Sequence, residues 1–248
     1  MKKIFSFILL ITFIFSSCSD DANTEQKKTI TIKFTHNWDG TPVTLSDLNT
    51  FKFRNASGET VSIEGLRYLV SNITLEAVIS KSYNLVNVGE NTDLEITFEN
   101  ISPGSHALNF IFGLKDVDNT DGIYQDLNSV SFNVPAMLGG GYHYMQFDGK
   151  YKDTNNQNAN FNYHAIRAVD RTDPSNLVFQ DTSFEVDLGT IEITDNTTIE
   201  IKMNIAEWFK NPNTWNLNEL NSVLMPNFEA QKMMSANGKS VFSLGEVN

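Results

Sequence analysis

Thr29-Ile30-Thr31-Ile32-Lys33-Phe34 decides the fold class of this chain. Apolar and polar side chains alternate with period two, so Ile30, Ile32 and Phe34 share one face of an extended strand and Thr29, Thr31 and Lys33 the other. The pattern recurs downstream. Phe51-Lys52-Phe53-Arg54 precedes the turn Asn55-Ala56-Ser57-Gly58, and Val61 and Ile63 continue the alternation. Residues 66–75, 83–88 and 93–98 read as strands, with Gly89-Glu90-Asn91-Thr92 as turn chemistry between the last two. After Ile101-Ser102-Pro103-Gly104-Ser105, residues 106–112 read as a strand and 113–125 as loop. A short strand is expected at 130–134, a strand pair at 142–151 and 160–169, and two more strands at 183–188 and 197–205. Short strands at this spacing predict an all-β fold, an antiparallel β-sandwich of Ig-like or jelly-roll-like type.

Only the C-terminal part changes character. Residues 206–210 predict a short helix that Pro212 prevents from continuing. Residues 227–236 predict a second, with Phe228, Met233 and Met234 on its apolar side and Gly238 just past its end. Two short helices are therefore expected against an open end of the sandwich. No linker follows residue 28, so residues 29–248 read as a single domain.

The first residues carry an address. Met1-Lys2-Lys3, an apolar run from Ile4 to Phe15 and Ser16-Ser17-Cys18 have the layout of a secretory signal over residues 1–17. The run is shorter than the roughly 20 residues that a permanent membrane helix needs. Small residues before a lone cysteine resemble a lipobox, and Cys18 is the only cysteine of the 248 residues. The expectation is a lipid anchor on Cys18, then a polar tether over residues 18–28. The acidic Asp20 and Asp21 resemble the surface-export signal of Bacteroidetes lipoproteins. Together these predict an outer-membrane lipoprotein facing the periplasm or the cell surface.

Charge excludes some partners. A net charge of −12 and a pI near 4.7 argue against nucleic acid, whose phosphates would be repelled. With one cysteine no disulfide supports the fold, and an acylated Cys18 offers no thiolate to a metal. No Gly-x-Ser-x-Gly nucleophile is present, and the expectation is that the protein is not an enzyme.

Candidate ligands are His36, His143, Met145 and His164. In a straight strand His143 and Met145 share a face, roughly 6.6 Å apart along the chain. Imidazole suits copper and thioether selects Cu(I), though a core methionine beside a satisfied histidine fits the same spacing. If 142–151 and 160–169 form a simple hairpin, His164 opposes a residue near Phe147, roughly 13 Å along the strand from His143. His36 alternates with Trp38 at the end of the first strand. His106 follows a turn and is assigned no role. Asp116-Val117-Asp118-Asn119-Thr120-Asp121-Gly122 resembles a calcium loop, but its Asp-Gly comes one residue late and no glutamate takes the final ligand position, so it reads first as an acidic surface loop and second as a calcium site.

Several stretches occur in a telling order. His36-Asn37-Trp38-Asp39-Gly40 comes first, then Ile63-Glu64-Gly65-Leu66-Arg67-Tyr68-Leu69-Val70-Ser71-Asn72-Ile73. Gly140-Gly141-Tyr142-His143-Tyr144-Met145, Phe147-Asp148-Gly149-Lys150-Tyr151 and Phe161-Asn162-Tyr163-His164 follow, and Asn237-Gly238-Lys239-Ser240-Val241-Phe242-Ser243 closes the series. This order resembles the MbnP-like family, lipoproteins and periplasmic proteins related to the copper-binding partner of methanobactin systems. The resemblance covers nearly all of residues 29 to 245. It implies a β-sandwich that binds copper outside the cytoplasm, in metal acquisition or handling. It also implies a partner, a di-haem peroxidase that can oxidise a tryptophan beside the copper to kynurenine, or a TonB-dependent receptor. His36 and His164 match recurrent family histidines by position, and His143 and Met145 belong to a glycine-rich variant of the central motif. Many members carry tryptophans where this chain has Leu138-Gly139-Gly140-Gly141; its tryptophans are Trp38, Trp208 and Trp215. Trp38 is the one near a candidate ligand in sequence. The alternative reading is a metal-free surface module that recognises a glycan, a peptide or an outer-membrane partner.

Overall fold

The computed structural model of the chain describes residues 26–75, 78–79 and 82–248, so Cys18, the signal segment and most of the tether lie outside the described residues. The opening strand is longer than its six diagnostic residues. β1 (Lys28–Trp38) buries Ile30, Ile32, Phe34, His36 and Trp38 on one face. Each large apolar side chain so buried contributes roughly 1.5–3 kcal/mol. β2 (Thr41–Pro42), β3 (Phe53–Arg54), β4 (Thr60–Leu75), β5 (Val78–Ile79), β6 (Tyr83–Asn87), β7 (Glu95–Ile101) and β8 (Gly104–Phe112) follow. The second half holds α1 (Gln125–Ser129), β9 (Met145–Lys152), β10 (Asn158–Ala165), β11 (Ala168–Asp170), β12 (Val178–Gln180), β13 (Phe184–Ile193), β14 (Thr197–Asn204), α2 (Phe228–Gly238) and β15 (Phe242–Val247).

Two sheets make an all-β sandwich. One runs β15-β14-β1-β2, with β7 also on β1; the other runs β10-β9-β4-β8-β13, with β3, β5 and β6 also on β4. The pairing is antiparallel except between β1 and β14, which run parallel from Ile30 opposite Thr197 to Asn37 opposite Asn204. That pair closes the two ends of the chain onto each other, and strand alternation alone cannot specify it. Phe34, Tyr68, Phe110, Phe112 and Phe242 meet between the layers at ring separations of 5.1–6.5 Å.

β4 is the rail on which the second sheet is built. β9 pairs with its first half, up to Tyr68 opposite Met145, and β8 with its second half, from Val70 opposite Phe112. The two meet end to end at Leu69, which donates its N–H to Tyr144 O at 2.9 Å and accepts the N–H of Gly113 at 2.9 Å. At this junction a Cβ on Gly113 would lie 2.5 Å from the Tyr144 ring, so glycine is required. Residues 141–143, ahead of β9, leave the β4 ladder and lie instead against residues 132–134.

Several boundaries differ from the sequence reading. Residues 130–134 form an isolated bridge, Asn133 to Tyr142, rather than a strand. Residues 125–129 are helical, a turn of helix that begins at the last residue of the stretch read as loop. The segment at 206–210 is a 3-10 turn, Ile205–Phe209. α2 runs on to include Gly238, and it buries Ala230, Gln231, Met234, Asn237 and Gly238 while Phe228 and Met233 are half-buried. Asn237 inverts the apolar expectation: its amide donates to Trp208 O at 2.8 Å and Asn213 O at 2.9 Å, fastening the helix to the loop ahead of it.

Candidate functional site: a pair of histidines on the outer face of the second sheet

The β9–β10 hairpin is built on alternation. Met145, Phe147 and Gly149 of β9, and Phe161, Tyr163 and Ala165 of β10, are buried, while Gln146, Asp148, Asn162 and His164 form the opposite face. His164 stands opposite Gln146, one residue from the expected register. Its Nε2–H donates to Asp148 Oδ1 at 2.9 Å. Burial pushes the Asp148 carboxyl up, but the hydrogen bonds from His164 and Asn162 outweigh it and hold the group below the usual range. The carboxylate is therefore ionised, and it fixes the imidazole with Nδ1 as the nitrogen bearing the lone pair.

His143 reaches this face by a bend. β9 begins only at Met145, and Tyr144 sits at the bend, donating its N–H to Ala165 O at 2.7 Å. His143 donates both its backbone N–H and its Nδ1–H to Phe132 O, each at 3.0 Å. Its ring then meets His164 edge to face at a centroid distance of 5.3 Å. The sequence-based separation of the two histidines is thus overturned: the register was nearly right, but the strand does not extend back to His143. His143 is 4% exposed, and its Nε2 is buried without a hydrogen-bond partner. A lone pair left free in a buried site is costly unless something binds there. Burial lowers the His143 pKa to about 4, so the ring is neutral at physiological pH.

Met145 does not join the pair. It is fully buried on the inner face, opposite Tyr68, because the bend separates its direction from that of His143. His36 also lies elsewhere. Its Nε2 hydrogen-bonds Tyr68 OH at 3.0 Å between the layers, so the second sheet stands between it and His164. Its pKa is lowered to about 4 by burial, and the residue lines a 540 Å³ groove with Val43, Leu45, Val88 and Leu94. Trp38 donates Nε1–H to Arg54 O at 2.9 Å and stacks on Phe53 and Phe209, likewise between the layers. The four candidate ligands therefore do not converge; two of them do.

The side chains of the acidic loop over residues 116–122 have other partners. Asp116 Oδ1 lies 3.5 Å from Arg167 Nη1, and the Asn119 side chain is used on the other side of the loop, accepting Tyr142 N–H at 2.8 Å. Among the described residues no three His, Cys, Asp or Glu side chains converge on a metal position. What the loop does is hold the glycine run. Gly139, Gly140 and Gly141 all have positive φ, and a Cβ on Gly141 would come within 2.6 Å of Asn119 Oδ1 and 2.9 Å of its backbone oxygen.

Three residues without an assigned role in the sequence reading complete the surroundings. Asp148 fixes His164, while Arg67 and Gln146 line a 280 Å³ dimple with Asp148 and Glu64 beside the pair. The signal for Asp148 is present in the sequence, since hairpin alternation puts Asp148 and His164 on one face.

The buried histidines give a pH dependence. His36 and His143 protonate near 6.5 when unfolded but near 4 when folded. Between these values the unfolded chain binds more protons, so stability is complete above pH 6.5 and falls as the pH drops toward 4. Each group contributes up to about 3 kcal/mol. Denaturant unfolding at pH 7 and pH 4.5 is expected to show a loss of several kcal/mol; equal stability at the two values would contradict the buried, neutral state of both rings.

No curated protein matches the chain by sequence. A solved structure, MbnP from Methylosinus trichosporium, is similar at 11% identity, covering 79% of each chain with a TM-score of 0.46. The family model of MbnP matches residues 27–226, most of the chain. This protein belongs to the MbnP family.

Proposed function

We propose that the protein is a non-enzymatic, exported copper-binding lipoprotein that holds one Cu(I) ion between His143 Nε2 and His164 Nδ1. The observation that carries this reading is the buried, unpartnered Nε2 of His143 against the His164 ring. Each imidazole has its other nitrogen engaged, by Phe132 O and by Asp148, which is the outer-shell arrangement that readies a histidine for a metal. Imidazole donors suit copper. Structural zinc calls for four ligands and calcium for six to eight oxygens, and this pair supplies neither. Two imidazole donors suit a singly charged d10 ion that accepts low coordination numbers.

Family membership and the export signal support a role in copper acquisition or handling outside the cytoplasm, with Cys18 as the anchor to the outer membrane. A tryptophan-derived ligand is not part of the proposal. Trp38, Trp208 and Trp215 all pack between the layers, Trp208 against Phe112 and Trp215 against Tyr163, and residues 138–141 offer no aromatic side chain. The test is a Cu(I) titration of the protein lacking residues 1–18 against a chromogenic chelator. The expected result is one equivalent withdrawn from the chelator; failure to compete with a weak chelator would remove the proposal.

A further inference from the structure

Large apolar side chains stand exposed in three segments that meet around the glycine run. Val117 and Met137 are each 83% exposed, Val178 is 54% and Phe179 42% exposed, and Ile123 and Leu177 are exposed beside them in sequence. Contacts tie the segments together. Phe179 lies next to the 3-10 turn Ala136–Leu138, since a Cβ on Gly139 would come within 3.2 Å of its ring. The Arg167 guanidinium lies 4.3 Å from the centre of the Phe179 ring, and its Nη1 lies 3.5 Å from Oδ1 of Asp116, the residue before Val117. Asp121 packs against Gly140, where an added Cβ would lie 3.3 Å from its own Cβ. An exposed apolar patch with a polar rim on a soluble domain marks an interaction surface.

The patch is also a sheet edge. Among the described residues β12 pairs only with β11, and all three of its residues are exposed. A free strand edge is a template on which an extended segment of another chain can pair. Charge selects the segment. Asp116, Asp118, Asp121, Asp170, Asp173 and Asp181 stand in these loops against Lys115, Arg167 and Arg171. The two arginines are engaged by backbone carbonyls, of Gly139 and Leu138. Asp170 stands directly across from Val178, and Asp181 follows the end of β12. Such a rim attracts a basic partner and repels a second copy of itself. Position excludes the anchoring bilayer. Lys27 and Lys28, where the chain enters β1, bond to Ser102 and Asp195. β8 and β13 run from that end, with Gly104 opposite Ile193, to Phe112 opposite Phe184, and residues 113–123 and β12 lie beyond the far end. A lipid anchor ahead of Lys28 therefore leaves from the end opposite the patch.

We propose that β12 and the apolar side chains around the glycine run dock an extended segment of a partner protein, one that alternates apolar and basic residues and pairs with the β12 edge. Backbone pairing supplies the register, Met137, Val178 and Phe179 take the apolar side chains, and the aspartates meet the basic ones. The docking surface is independent of the copper reading. The test uses metal-free, nitrogen-15-labelled protein lacking residues 1–18 and a blocked peptide of alternating lysine and valine. The expected result is saturable amide shifts confined to residues 116–123, 136–141 and 168–181, with no response to a glutamate–valine peptide of the same length. Met137→Ser with Val178→Ser is expected to weaken binding about tenfold or more, because each removes an apolar side chain that docking would bury. Both side chains are largely exposed, so the fold is expected to survive; should the double variant lose its β-sheet circular dichroism, the comparison of the two peptides decides alone. Equal binding of both peptides, shifts centred elsewhere, or no shift at millimolar lysine–valine peptide would overturn the proposal. Co-sedimentation with phosphatidylglycerol vesicles through this patch would assign it to lipid, and concentration-dependent shifts of the same residues without peptide would assign it to a second copy; either result would also overturn it.

Discussion

Replacing His143 and His164 together by alanine is expected to abolish stoichiometric Cu(I) binding, while His36→Ala and Met145→Leu leave the affinity within about threefold. The first pair removes both rings of the edge-to-face contact; the second pair touches residues that the fold places elsewhere. His143→Ala alone is nearly as damaging, because one imidazole already held by Asp148 cannot retain the ion in competition with a chelator. His164→Ala also takes from Asp148 one of its two hydrogen-bond donors, leaving Asn162, so Asp148→Asn is the gentler probe of that support, with a loss of about 10- to 100-fold. His36→Ala is expected to act on stability instead, since it leaves the hydroxyl of a fully buried Tyr68 without its hydrogen bond. Chelator competition on the set of variants checks the ranking. Loss of binding in His36→Ala or Met145→Leu, with binding kept in His143→Ala, would invert it.

Gly141→Ala is expected to cost about 2–5 kcal/mol of stability and to take copper affinity with it. The residue has φ +79°, a left-handed conformation that costs a side-chain-bearing residue roughly 1–2 kcal/mol. Its added Cβ would lie 2.6 Å from Asn119 Oδ1 and 2.9 Å from the Asn119 backbone oxygen, and relieving such overpacking costs roughly 1–3 kcal/mol more. Asn119 cannot give way freely, because Oδ1 accepts Tyr142 N–H at 2.8 Å and Nδ2 donates toward Tyr144 OH at 3.4 Å. Any shift passes to Tyr142 and His143, so the loss of stability and the loss of affinity are coupled. Chemical denaturation with a parallel titration checks both, and a variant with wild-type stability and affinity would show that the glycine run is not what holds the pair. The same contacts explain why no aromatic residue can occupy this position while the loop keeps its conformation.

Period-two alternation in β1 and in the β9–β10 hairpin made the sandwich readable from sequence, because half-buried strands leave that mark. The hairpin register was legible to within one residue through the turn between Lys152 and Asn158, which pair in the structure. The parallel contact of β1 with β14 was not legible, since neither strand carries a mark of its partner. β15 was missed for a related reason: Phe242-Ser243-Leu244-Gly245-Glu246-Val247 leaves most of its side chains half-buried or exposed, so alternation is faint. At the site, His143 and His164 were visible as candidates, but their meeting depends on the bend at Tyr144. That bend comes from long-range bonds, Tyr144 N–H to Ala165 O and His143 N–H to Phe132 O, which no local pattern encodes. Met145 lies on the inner face, away from His143, because the strand does not continue through that bend. His36 was carried by family position, yet the alternation it shares with Ile30, Ile32 and Phe34 already placed it on the inward face.

Copper K-edge absorption of the Cu(I)-loaded protein lacking residues 1–18 tests the central claim most directly. The claim predicts nearest neighbours that are nitrogen only, with the outer-shell multiple scattering of two imidazoles, and no sulfur. Scattering from sulfur would bring Met145 or another methionine into the site, and scattering from oxygen alone, without imidazole, would contradict the His143–His164 pair.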